Sequence, residues 1–228
     1  MRLGEAHGLS VMKFTLVYEG ELKANGNPTK KQAIRDKLHP QLVNLWDTHP
    51  CMLALKGRRY VSIDPGGHMW FESHHHVPIP KASPPQDGIF PELGDVPSPH
   101  IDLLEPVVRK GCSFTPLVRE RTALKCALKI TFLRQEEPGR VYQGGDIDNR
   151  LKTLLDALAV PQHDEQVIPR DTEIFCLLED DNLITGLDVQ TQRLLGRSDA
   201  TKHEVHLLIE VDVRVTNPRG YNQMFLGD

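Results

Sequence analysis

Residues 204–215 read EVHLLIEVDVRV, and their alternation decides the class of fold. Val205, Leu207, Ile209, Val211, Val213 and Val215 fall on one side of an extended chain. His206, Glu210, Asp212 and Arg214 fall on the other, the pattern of a strand with one buried face. The same period recurs upstream, where Leu124, Cys126, Leu128, Ile130 and Phe132 alternate with Lys125, Ala127, Lys129 and Thr131. It appears again in Met12–Tyr18, which sets Met12, Phe14, Leu16 and Tyr18 on one side. Asn182–Leu194 predicts a further strand, interrupted by Gly186.

Between these strands the period changes. Ile34, Leu38, Leu42, Leu45 and Trp46 recur at helical spacing after the turn-rich Lys23–Thr29, which predicts a helix over about 29–46 that Pro40 should kink or divide. Leu151, Leu154, Leu155 and Leu158 fall at i, i+3, i+4 and i+7, one face of a second helix over 149–158 that Pro161 limits. The expected architecture is α+β: one domain over 1–228, built on a mixed β-sheet with helices packed on one face. Seven prolines between Val77 and Pro99 lack the composition of a packed core and predict an irregular Pro-rich insertion at about 77–99. Just before it, His74, His75 and His76 are adjacent, and neighbours in an extended chain cannot converge on one metal ion; they read as a solvated polar run.

With 228 residues, of which 39% are hydrophobic, the chain can bury a substantial core. No run approaches the roughly 18 apolar residues of a membrane span, and Met1–Leu9 lacks the apolar stretch of a secretory signal. The expected setting is cytoplasmic, with no membrane partner. Cys51, Cys112, Cys126 and Cys176 show none of the paired spacings of zinc or redox motifs and read as reduced packing residues. A formal charge of -4 argues against a generic nucleic-acid binder, since phosphate affinity comes largely from lysine and arginine. One divalent cation would bring -4 to -2, and a second would bring it to 0.

Chemistry concentrates in residues 144–158, GGDIDNRLKTLLDAL. On an extended approach Asp146 and Asp148, two apart, point to the same side and can share a cation, and Gly144 and Gly145 allow close backbone approach. Carboxylate oxygens suit Mg²⁺ or Mn²⁺. Lys152 lies one helical turn beyond Asp148. A plainer reading stands beside this one: Asp148 as an N-cap, Lys152 as a surface partner of Asp148 or Asp156, and Asp156 in a structural salt bridge. Further along, Glu179, Asp180 and Asp181 enter an apolar strand together, a repulsion that a cation would relieve.

The order D-I-D-N-x-x-K, then D-A-L, then D-D before a strand, resembles the RusA family of crossover-junction endodeoxyribonucleases over about Ala123–Arg214, with a weaker likeness over Lys13–Trp46. The resemblance implies a Mg²⁺-dependent hydrolase (Mn²⁺ as substitute) that resolves Holliday junctions in DNA recombination and repair. It implies a homodimer making paired nicks in a four-way junction. It assigns the metal to Asp146, Asp148 and Asp181 and catalytic assistance to Lys152. Asp164, in His163-Asp164-Glu165-Gln166-Val167, is the alternative third metal ligand; choosing Asp181 makes Pro161–Leu178 an insertion. Lys30, Lys31, Arg35 and Arg150 are the candidate DNA-backbone contacts.

Overall fold

The computed structural model describes residues 12–24, 26–63, 69–71, 100–134, 146–195 and 204–226. In chain order its elements are β1 (Met12–Glu21), α1 (Pro28–Thr48), α2 (Pro50–Gly57), β2 (Tyr60–Ile63) and β3 (Met69–Phe71). They continue with β4 (His100–Asp102), β5 (Val107–Arg109), β6 (Cys112–Val118), β7 (Leu124–Arg134) and α3 (Asp146–Leu158). The last three are β8 (Ile174–Leu178), β9 (Ile184–Arg193) and β10 (Glu204–Val215).

The principal sheet has the order β1-β10-β7-β9. β10 pairs antiparallel with β1 and β7, and β9 lies parallel to β7, so the sheet is mixed. Leu16, Ile209 and Ile130 stand in one row of this ladder, and all three are buried. The opposite face is open: Val17 and Leu208, directly paired, are 47% and 38% exposed. The buried face merges with the apolar sides of α1, α2 and α3 in one core, from Ile34, Leu38, Leu42 and Trp46 to Leu154 and Leu158. Among the described residues two smaller sheets complete the α+β fold, β3-β2-β4 and β5-β6-β8. No helix among those residues is long and apolar enough to cross a membrane.

α1 begins where Asn27 caps it: its side-chain oxygen accepts from Lys30 N–H at 3.0 Å, and Pro28 takes the first turn, where a missing N–H costs nothing. The expected break at Pro40 does not occur. Pro40 lies on the exposed side, and the stripe Ile34, Leu38, Leu42 and Trp46 buries continuously on either side of it, so packing outweighs one lost hydrogen bond. α1 also guards the edge of the sheet. Gln41 accepts from Val17 N–H at 2.9 Å and donates to Val17 O at 2.7 Å, pairing with β1 as a neighbouring strand would.

Pro161–Leu178 contains β8, whose Ile174, Cys176, Leu177 and Leu178 are buried and which pairs parallel with β6. One further expectation is corrected. Asp146 and Asp148 do not lie on an extended approach, since both belong to α3. Residues 77–99, His68 and His74–His76 lie outside the described residues.

Candidate metal and phosphate site on helix α3

α3 sorts its residues by its own geometry. At 100° per residue, Ile147, Arg150, Thr153, Leu154, Ala157 and Leu158 occupy one arc, and all six are buried. Asp148, Asn149 and Lys152 are exposed on the other arc, with Asp156 half-buried beside them. Asp148, Lys152 and Asp156, each four positions from the next, form a row of alternating charge along the solvent side. Asp148 also sits in the first turn, where the helix dipole favours a carboxylate. It is a residue of the helix and not its N-cap.

Positions two apart in a helix are turned about 200° from one another, so the pairing of Asp146 with Asp148 inferred from an extended chain does not carry over. The Asp146 side chain lies outside what is described. Arg150 is 1% exposed and is a core residue, not the exposed backbone contact expected of it.

The cations of α1 divide as well. Lys31 binds Asp156 at 2.6 Å, which makes Asp156 the salt-bridge partner that one reading of the sequence expected. Arg35 is 3% exposed and donates through Nη2 to Asp156 O at 2.6 Å and through Nε to Ala159 O at 3.3 Å. These are carbonyls at the end of α3 that the helix itself cannot pair. Burial pulls the Arg35 pKa down, partly offset by the nearby Cys176, Asp156 and Asp36. Arg35 and Lys31 therefore tie α1 to α3 and are withdrawn from the role of substrate contacts. Lys30 remains exposed.

Asp181 opens a single 3-10 turn, Asp181–Leu183, whose cap is Asp180, accepting from Asn182 N–H at 2.9 Å. Partial desolvation, the charge and hydrogen bond of Asp180, and the charge of Asp156 hold the Asp181 carboxyl above the usual carboxylate range. Topology explains the influence of Asp156. Leaving α3, the chain runs beside the end of β8: Val160 N–H donates to Leu178 O at 3.0 Å and Gln162 Nε2 to Glu179 O at 3.3 Å. Asp181 thus feels the charge of Asp156, which is about two turns and roughly 12 Å of helix rise beyond Asp148. Asp164, the alternative ligand, is exposed at the start of another 3-10 turn, Asp164–Gln166.

Among the described residues no three His, Cys, Asp or Glu side chains are grouped closely enough to hold a metal ion. The carboxylate donors fit a hard divalent cation in chemistry, and the repulsion felt by Asp181 is what such an ion relieves. Asp148 and Asp181 are not members of such a metal-holding group among the described residues. Sequence reasoning missed the effect of the Asp156 charge on Asp181, which follows from the path of the chain between them.

One concavity lies beside the Asp180 turn and another on the far face of the sheet. A polar cleft of about 200 Å³ beside Asp180 is lined by Arg109, Glu120, Gln162, Glu179 and Asn182, with Glu120 N–H donating to Glu179 Oε2 at 3.0 Å. A larger groove of about 530 Å³ crosses the open face of the principal sheet, away from α3. Its two lysines are paired within it, Lys129 with Glu210 at 2.9 Å and Lys13 with Asp212 at 3.9 Å.

Comparison with protein-family models, with curated proteins and with solved structures returned no match.

Proposed function

We propose that this protein is a metal-dependent endonuclease of branched DNA, of the RusA type, acting on four-way junctions as a two-fold dimer. The observation that carries the reading is the exposed arc of α3. The helix buries its opposite arc and leaves Asp148 and Lys152 in solvent one turn apart, at the positions of the D-I-D-N-x-x-K pattern. Asp148, with Asp146 and either Asp181 or Asp164, would hold Mg²⁺ or Mn²⁺. The ion, when bound, supplies Lewis acidity toward a phosphodiester and an acidified water. Lys152 places a positive charge where phosphoryl oxygens gain negative charge, a contribution largest in the transition state. The acidic overall charge makes DNA binding dependent on the cation.

The direct test is cleavage of a labelled four-way junction with Mg²⁺, Mn²⁺ or chelator. Paired symmetric nicks that need metal and fall about a hundredfold or more in Asp148→Asn support the reading. A flap and a linear duplex, assayed beside the junction, identify a nuclease of other branched DNA. The helical placement of Asp146 and Asp148, turned about 200° from one another, favours a second reading, a relative that binds junctions without cutting them. That reading requires retention of the junction in magnesium with no products, in wild type and Asp148→Asn alike.

A further inference from the structure

The turn before α1 rests directly on α3. Gly26 N–H donates to Thr153 Oγ1 at 3.0 Å, and the Thr153 hydroxyl in turn donates to Asn149 O, one turn back, at 3.0 Å. A Cβ on Gly26 would lie 2.3 Å from Thr153 Cγ2 and 3.1 Å from Oγ1. Gly26 is not in the left-handed region, so space and not backbone conformation demands glycine here. Thr153 cannot easily yield. It is buried, its β-branched side chain is confined in a helix, and rotation would surrender both hydrogen bonds. The bracketed turn, Asn149–Thr153, contains Lys152 and directly follows Asp148.

We infer that Gly26 and Thr153 form a latch that positions the Asp148–Lys152 arc, a role that rests on the endonuclease reading. Lys31 and Arg35 hold the far end of α3, and the latch holds its middle, so the pose of Lys152 relative to Asp148 is set from the turn before α1. Neither Gly26 nor Thr153 is a catalytic residue; both act through the helix.

The test uses the full chain with Gly26→Ala, Thr153→Ser and the double variant. Gly26→Ala lowers the turnover of the junction about tenfold or more and leaves KM nearly unchanged, since the error is in placement and not in binding. Thr153→Ser keeps the hydroxyl and removes Cγ2, so the double variant regains the wild-type rate to within about threefold. Amide exchange at 149–153, measured without DNA or metal, quickens about tenfold in Gly26→Ala and recovers in the double variant. Wild-type turnover in Gly26→Ala, or no recovery in the double variant, overturns the positioning role. Unchanged exchange in Gly26→Ala overturns the latch itself. If the wild type cuts no junction, the functional reading falls and the positioning role with it, and exchange still decides whether the latch exists.

Discussion

The two halves of α3 meet cations in opposite ways. At the C-terminal half, Arg35 is buried and spends its donors on the carbonyls of Asp156 and Ala159, while Lys31 neutralises the Asp156 side chain. At the N-terminal half, Lys152 stands in solvent beside an exposed Asp148. Residues of similar charge on adjoining helices thus serve two ends. Charges that fasten the scaffold are withdrawn from water, and those of the exposed arc stay in it. The contrast separates what holds the helix from what the endonuclease proposal assigns to chemistry, and it can be attacked from either side.

Arg35→Ala should give the largest loss. It strips the end of α3 of its donors and leaves a space in the core, which together cost about 3 kcal/mol of folding stability. Urea unfolding measures it; a midpoint shift equivalent to less than about 1 kcal/mol would mean that water replaces the guanidinium and that the two halves of α3 are not differently held.

This half of the comparison was hidden in the sequence. Lys30, Lys31 and Arg35 look alike as a basic run, and only the path of α1 across α3 decides which is buried. The four long strands and the two amphipathic helices were legible because one buried face imposes a period on side chains. β8 escaped, because five residues following Pro169 and Asp171 carry too short an apolar run to show a period. β6 carries Pro116 although it is the middle strand of its sheet, against the usual meaning of proline there. α2 begins at Pro50, and a proline there reads as a stop after α1 rather than as a new start. In the site, the relation of Lys152 to Asp148 was legible because one turn of helix separates them. The effect of the Asp156 charge on Asp181 was not, because it depends on how β8 returns.

Lys31→Ala should cost less, about 1 kcal/mol, because the Lys31–Asp156 pair is only partly shielded from water. A double-mutant cycle with Asp156→Ala isolates the pair. A coupling near zero would remove Lys31 from the scaffold and return it to the set of possible phosphate contacts.

A smaller effect depends on pH. His39 Nδ1 accepts from Phe175 N–H at 3.0 Å, joining α1 to β8, and burial, aided by the charge of Arg170, outweighs Asp36 and Glu173 and lowers its pKa. The folded protein therefore keeps His39 neutral where the unfolded chain, titrating near 6.5, takes up a proton. The contribution is fully present above that value and is lost as pH falls through the lower folded pKa. Urea midpoints measured from neutral pH downward should fall more steeply in wild type than in His39→Gln below pH 6.5. Parallel profiles would mean that the imidazole bond does not join the two elements.

The smallest expected change is the most discriminating. Lys152→Ala removes an exposed side chain whose partners lie along one helix face, so folding stability should move by no more than about 0.5 kcal/mol. The same substitution takes away the charge proposed to meet the phosphoryl oxygens, so metal-dependent junction cleavage should fall by about a hundredfold, with binding changed far less. An unchanged rate would put Lys152 with the solvated surface, whereas a lost rate in an equally stable protein would show that the exposed half of α3 is kept exposed for chemistry.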